Sequence, residues 1–190
     1  RTTLKLDKEK TAEVVQNLLV SHPKLWDLDF PYRYTVETII KKGGKTIDKY
    51  LTPFGIRSVK FDKDKGFFLN NKHLKLKGMC LHQDAGCLGT AVPDRAYERR
   101  LLILKEFGTN AIRCSHNPPS PEFLNYCDSI GFLVIDEAFD KWKSGYYEEF
   151  FDSSWQQDIS DMVIRDRNHP SVILWSIGNE LAEAKLKDDT

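Results

Sequence analysis

Gly131-Phe132-Leu133-Val134-Ile135-Asp136-Glu137-Ala138 separates the possible architectures of this chain. Four consecutive apolar residues, Phe132 to Ile135, leave no polar face, so they read as a strand buried on both sides, the habit of parallel sheets. Gly131 reads as a helix stop. Upstream of it Ser120 is placed to cap a helix with Pro121 at its first position and Phe123, Leu124, Cys127 and Ile130 on the apolar side. Further back, Ala111-Ile112-Arg113-Cys114 is another short buried strand. Before it, Asp94 is expected to cap a helix over Arg95 to Phe107, with Tyr97, Leu101, Leu104 and Phe107 at helical spacing and Gly108 as its stop. Forward of the central stretch, a third helix is expected from about Ser154 to Arg167, with Trp155, Ile159, Met162 and Val163 on one stripe. Val172-Ile173-Leu174-Trp175-Ser176-Ile177 then forms a strand.

With Leu74 to Met79 as the first strand, this makes four strands and three helices in roughly 115 residues, where a complete (β/α)8 barrel takes about 250. Strand alternating with helix favours a parallel α/β sheet or barrel. The amino-terminal part follows another grammar. Arg33 to Ile40 is β-branched and aromatic, Lys42-Gly43-Gly44-Lys45 turns the chain, and Thr46 to Tyr50 pairs back, a hairpin of a β-sandwich. Asp62-Lys63-Asp64-Lys65-Gly66 and Asn70-Asn71-Lys72 are further tight turns, and a domain boundary is expected near residue 62.

Lys and Arg number 28 and Asp and Glu number 28, for a formal net charge of +0, so no global field favours nucleic acid or an anionic membrane. No apolar run reaches the ~18 to 20 residues needed to span a bilayer, and a soluble protein is expected. Cys80, Cys87, Cys114 and Cys127 lack CxxC spacing, which suggests neither a zinc site nor a disulfide framework, only free buried thiols. Arg1 and Thr190 both stand mid-pattern, so a section of a longer protein is expected.

In parallel α/β folds reactive groups gather at the carboxyl edge of the sheet. Here the strands end in Cys80, His82, Gln83 and Asp84; in Arg113, Ser115, His116 and Asn117; in Asp136, Glu137 and Asp140; and in Asn179 and Glu180. Gathered on one rim, they would form a cup of donors and acceptors suited to sugar hydroxyls, with carboxylates for the acid/base work of glycosidic cleavage. The spacing leaves other readings open. Strand ends are ordinarily polar, His82 and His116 fit structural hydrogen bonds, and Asp136 and Glu137 can cap the following loop. A divalent ion on His82, Asp84, His116 and Glu180 has suitable ligand types but no supporting spacing. Trp175 reads as core or pocket wall, Trp26 and Trp155 as core, and Asp166-Arg167-Asn168-His169 as a helix exit held by a hydrogen-bond network.

Four stretches are more specific than any of this. Asn110-Ala111-Ile112-Arg113-Cys114-Ser115-His116-Asn117-Pro118-Pro119, Gly131 to Ala138, Arg165-Asp166-Arg167-Asn168-His169-Pro170-Ser171-Val172 and Trp175-Ser176-Ile177-Gly178-Asn179-Glu180, in that order, resemble the successive signatures of glycoside hydrolase family 2. Lys77-Gly78-Met79-Cys80-Leu81-His82 resembles the family's first barrel strand. Leu25-Trp26-Asp27 through Thr52-Pro53-Phe54-Gly55-Ile56-Arg57 resembles the end of its immunoglobulin-like sandwich. The resemblance implies a β-galactosidase-like chain: residues 1–61 the carboxy-terminal part of the sandwich, and 62–190 the first half of a catalytic TIM barrel, with four of its strands.

The resemblance further implies a retaining mechanism in which a carboxylic acid of raised pKa protonates the leaving oxygen and later deprotonates water. By position that acid/base is Glu180. Asn179 is similar to the residue that hydrogen-bonds the sugar 2-hydroxyl, Arg113, His116 and His82 match positions that line the sugar subsite or orient carboxylates, and Asp136 fits a supporting role. The nucleophile is a glutamate from a later strand, so this chain alone is expected to be inactive. Two departures stand out. Cys80 occupies a position where many relatives have Asn, and Phe139-Asp140-Lys141-Trp142 lacks the acidic residue and His that help bind magnesium in some β-galactosidases. No obligatory metal and no cofactor are expected.

The implied substrate is a terminal β-galactoside, with β-glucuronide and β-mannoside as runners-up. The competing classes are a non-catalytic carbohydrate-binding or scaffold unit and a metal-dependent barrel hydrolase. Open sheet edges point to self-association of the chain, the parent is expected to be a homo-oligomer, and a periplasmic or secreted bacterial location is what the resemblance suggests.

Overall fold

A computed structural model describes residues 1–8 and 10–181. The hairpin strands β1 (Tyr34–Lys42) and β2 (Lys45–Phe54) are antiparallel, as are β3 (Val59–Asp62), β4 (Gly66–Leu69) and β5 (Lys72–His73) in a small second sheet. β6 (Gly78–His82), β7 (Ala111–Ser115), β8 (Leu133–Glu137) and β9 (Val172–Ser176) then form a parallel sheet in sequential order. The crossovers are α1 (Asp94–Glu106), α2 (Pro121–Ile130) and α3 (Glu148–Asp166). Sequential parallel strands joined by helices are half of a (β/α)8 barrel, preceded by the β1–β2 hairpin the sequence led us to expect and by the small β3–β4–β5 sheet. Among the described residues no helix is long and apolar enough to cross a membrane.

Local chemistry explains most of the turns. Gly43 and Gly44 take positive φ, +55° and +82°, which the two-residue turn between β1 and β2 requires. Asp62 Oδ1 accepts the N–H groups of Asp64 and Lys65, both at 3.1 Å, and so bends β3 into β4. Ser120 caps α2 as expected, its Oγ accepting from Phe123 N at 3.2 Å, and Gly131 ends the helix in the left-handed region at φ 85°. A side chain at Gly131 would run into the Leu28 backbone.

Three boundaries differ from expectation. The first parallel strand begins at Gly78, not Leu74, because its partner β7 begins only at Ala111, directly opposite Gly78. Asp94 does not cap α1; Pro93 holds that position and Asp94 is the first helical residue, its charge in the first turn where the helix dipole favours it. α3 starts at Glu148, before Ser154, because Phe151 packs with Phe139, Ala138 and Met162 and extends the buried face. Trp155 stacks at the margin of that cluster, 6.2 Å from the Phe151 ring, and is 37% exposed, so it is not core. Of the four thiols, all free, Cys114 and Cys127 are buried but Cys80 and Cys87 are exposed.

The core lies between the sheet and its helices, where Leu101, Ile112, Phe123, Leu124, Phe132 and Val134 are closed from water. A second cluster seals the amino ends of the strands: Trp26 with Phe67, Leu69 and Leu133. Trp26 is 0% exposed, its indole N–H donating to the Asp128 carbonyl at 2.8 Å while Asn70 Nδ2 donates to its own carbonyl at 3.0 Å. Beside it the Arg57 guanidinium donates to the carbonyls of Pro170 and Val172. The amino-terminal segment therefore plugs the floor of the sheet. Trp26→Ala leaves a cavity and an unpaired carbonyl there, and a loss of about 3–5 kcal/mol is expected in a urea melt. A change under 1 kcal/mol would show that the plug is dispensable.

Candidate active site

The carboxyl ends of β7, β8 and β9 meet in one charged network whose centre is Glu137. Its carboxylate is 0% exposed and accepts from Arg113 Nε at 2.9 Å, Arg113 Nη2 at 2.8 Å and Ser176 Oγ at 2.7 Å. His116 Nδ1 lies 2.6 Å from its other oxygen. Four atoms of three residues thus satisfy one buried charge, the condition under which such a charge is tolerated. The same ion pair raises the pKa of Arg113 further above its ordinary value.

From this centre the network runs outward. Arg113 Nη2 also donates to Asn179 Oδ1 at 3.1 Å, and Asn179 Nδ2 donates to Asp140 Oδ1 at 2.9 Å. The Asn179 backbone N–H bonds the Asp140 carbonyl at 2.7 Å, and Trp142 Nε1 donates to the Ile177 carbonyl at 2.7 Å, so the loops after β8 and β9 are tied together. Lys141 Nζ bridges Asp140 Oδ1 at 3.0 Å and Glu180 Oε2 at 2.8 Å. His82, the last residue of β6, sets its ring edge-on to His116 with centroids 5.3 Å apart. The peptide bond between Ser115 and His116 is cis.

Of the six site residues expected from sequence, the fold therefore gathers five, His82, Arg113, His116, Asn179 and Glu180, on one rim. Asp136 is not among them. Successive side chains on a strand point to opposite faces. Val134 packs in the core beneath the helices, so Asp136 shares that face and Glu137 takes the other, toward Arg113. Asp136 lies against Asp166 at the end of α3, whose carboxylate Arg165 grips with Nε and Nη2, both at 2.7 Å. Neither Asp136 oxygen has a well-formed hydrogen bond. Burial first, and the Asp166 carboxyl second, push its pKa up to about 8.

Asp136 is thus protonated at neutral pH, which has a stability consequence. Its folded pKa lies above the unfolded one, so its contribution is complete below about pH 4 and is lost as pH rises through about 8. Across that window the unfolding free energy is expected to fall by up to about 1.4 kcal/mol per pH unit. Asp136→Asn removes the titration, so the variant is expected to melt above the parent at pH 8 and to show a flatter profile. Parallel melting curves from pH 5 to 8 would dismiss the buried proton.

Glu180 departs from the expectation of a raised acid. Its side chain is 77% exposed, and the hydrogen bond from Lys141, followed by that ammonium's charge, holds its pKa below the usual glutamate value. No apolar group encloses it among the described residues, and desolvation is what raises a carboxyl. Its backbone takes φ 49°, a left-handed conformation uncommon for a residue with a side chain. The sequence reading missed Glu137 as the organising carboxylate, Ser176 as its donor and Lys141 as a bridge. The parity of β8 carried a usable signal for the first, since with Val134 assigned to the core only Glu137 can reach the cup.

His82, Asp84, His116 and Glu180 do not assemble as a metal centre. Among the described residues no group of three His, Cys, Asp or Glu could hold an ion. The expected network around Asp166 to His169 is present: His169 Nδ1 lies 2.7 Å from Asp128 Oδ2, and Ser171 donates to Asp128 Oδ1 from its N–H at 3.1 Å and its hydroxyl at 2.6 Å.

Comparison with known proteins gives this rim a lineage. A family model described as Glycosyl hydrolases family 2 matches residues 1–57, and one described as Glycosyl hydrolases family 2, TIM barrel domain, matches residues 59–188. The chain is similar to Beta-galactosidase BoGH2A of Bacteroides ovatus, 50% identical over 192 aligned residues that cover 97% of this chain and 23% of that protein. It is also similar to a Beta-glucuronidase of Bacteroides fragilis, 35% identical over 181 residues, or 90% of this chain and 26% of that one. The crystal structure of a glycosyl hydrolase family 2 member from Bacteroides cellulosilyticus superposes with a TM-score of 0.81 at 51% identity, covering 84% of this chain and 21% of that one. The chain spans about a quarter of the length of these curated relatives. Because the two family matches together take in nearly every residue, the chain belongs to glycoside hydrolase family 2.

Proposed function

We propose that the protein carrying this chain hydrolyses terminal β-galactosides with retention of configuration, Glu180 serving as general acid/base. The observation that carries the reading is the placement of Glu180 at the end of β9 beside Asn179, within a network that reaches Arg113 and the buried Glu137. A retaining glycosidase needs one carboxyl to protonate the leaving oxygen and then activate water, and a second to form the glycosyl-enzyme, about 5–5.5 Å away. Glu180, exposed on the rim and free of the buried ion pair, suits the first role. Glu137, occupied by four donors, does not suit the second, and we assign the nucleophile to a part of the barrel outside this chain.

Arg113, His116, His82 and Asn179 supply the fixed donors a sugar ring requires. Asn179, already oriented by Arg113 and Asp140, is the one we assign to the 2-hydroxyl, where a hydrogen bond strengthens in the transition state. Galactoside is favoured over glucuronide by the higher identity to the B. ovatus β-galactosidase than to the B. fragilis β-glucuronidase, 50% against 35%. The test is a panel of nitrophenyl β-galactoside, β-glucuronide and β-mannoside, given to the protein with its complete barrel and to the 190-residue chain alone. Cleavage of the galactoside by the first and none by the second is the expected result. Preference for the glucuronide would correct the substrate, and no cleavage of any would leave a carbohydrate-binding or scaffold role.

A further inference from the structure

Lys141 occupies the point where the two exposed carboxylates of the rim meet. Its Nζ stands 3.0 Å from Asp140 Oδ1 and 2.8 Å from Glu180 Oε2, while that same Asp140 oxygen accepts from Asn179. One ammonium therefore ties Glu180, through Asp140 and Asn179, to the Arg113–Glu137 ion pair. A lysine ammonium is a compact point charge with three donors and no acceptor. Magnesium, which some β-galactosidases hold near this loop, needs near-octahedral oxygen ligation. Here a fixed positive charge already lies between the two carboxylates and would repel a second cation. The residues present do not fit a divalent ion.

We propose that Lys141 is the resident cation of the acid/base site, a positioning residue that tethers Glu180 to Asp140 in the place a divalent ion would otherwise serve. This rests on the reading of Glu180 as acid/base. Among the described residues, the charges that face Glu180 and set its consequence for pH are Lys141 and Asp140 from the loop after β8, and His116 from the loop after β7. Lys141 favours the ionised carboxyl most strongly, Asp140 opposes it, and a charged His116 adds to Lys141. Both carboxylates hold Lys141 above its ordinary pKa, so its charge persists through the working range. A general acid must carry its proton when substrate binds. A neighbouring cation that favours the carboxylate therefore sets the basic limb of kcat/KM at lower pH than Glu180 alone would give.

The experiment is the pH profile of kcat/KM for nitrophenyl β-galactoside, measured on the complete enzyme and on its Lys141→Met, Lys141→Arg and Glu180→Gln variants, each with and without chelator and added magnesium. Lys141→Met is expected to move the basic limb to higher pH and to lower kcat roughly ten- to a hundredfold at the optimum, as the carboxyl loses its tether. Lys141→Arg is expected to keep the limb near its original position, and the parent enzyme to ignore chelator and magnesium alike. A limb that stays in place in Lys141→Met while the rate falls makes Lys141 merely structural and overturns the proposal. Parent activity lost to chelator and restored by magnesium overturns it as well. A fully active Glu180→Gln would instead remove the acid/base reading and leave the two failures distinct.

Discussion

Glu180→Gln, in the protein with its complete barrel, is expected to lower kcat for an alkyl or nitrophenyl β-galactoside by about 10²–10⁴-fold, the usual worth of a positioned acid/base. The amide matches the carboxyl in shape and can still meet Lys141, so folding and sugar binding are expected to persist while proton transfer is lost. The pattern across leaving groups is more telling than the size of the effect. A dinitrophenyl leaving group departs without protonation, so the first step should recover with it and the glycosyl-enzyme should accumulate, since no base remains to activate water. A small anion such as azide, which needs no deprotonation, should then restore turnover. A uniform loss across leaving groups, with no rescue by azide, would count against Glu180 and favour a role in binding alone.

Glu137→Ala should lower stability and activity together. The substitution strips a fully buried carboxylate from beneath Arg113, His116 and Ser176, leaving a guanidinium and a hydroxyl to find new partners. Removing one member of a buried ion pair costs about 3–5 kcal/mol, and the lower end applies because the Arg113 side chain is 33% exposed and water can reach it. Activity should fall by about a hundredfold beyond any loss of folded protein, because Arg113 and His116 would no longer be held for the sugar. Glu137→Gln keeps the volume and one acceptor, and should destabilise less. A Glu137→Ala protein that unfolds within about 0.5 kcal/mol of the parent would show that the network merely accompanies the site and does not organise it.

Much of this molecule is legible in its residues, for identifiable reasons. Phe132 to Ile135 has no polar face, Ser120-Pro121 and Gly131 carry local start and stop chemistry, and Gly43-Gly44 admits the positive φ its turn needs; each is decided within a few residues. The errors arise where a distant partner chooses. Leu74 to Lys77 has strand composition but no strand opposite it, since β7 begins at Ala111. α3 is lengthened by Phe151, whose neighbours Phe139 and Met162 are brought to it by the fold. Trp155 shares the expected stripe with Ile159, Met162 and Val163, which do pack in that cluster, but it meets only the outer side of Phe151 and remains at the margin.

The same division holds at the site. The family, the half-barrel order of strands and helices, and the polar residues available at each strand end can be read from the residues, because these depend on local pattern and on signatures met in order. What those residues do to one another is set by the folded arrangement. Strand parity and the burial of Val134 send Asp136 to the helix side, where it holds a proton beside Asp166, and turn Glu137 to the cup, where it anchors Arg113 and His116. Lys141 reaches Glu180 across 39 residues because two loops are tied by Asn179 and Asp140. Charge and burial depend on neighbours distant in the chain, and those neighbours exist only once the sheet is built.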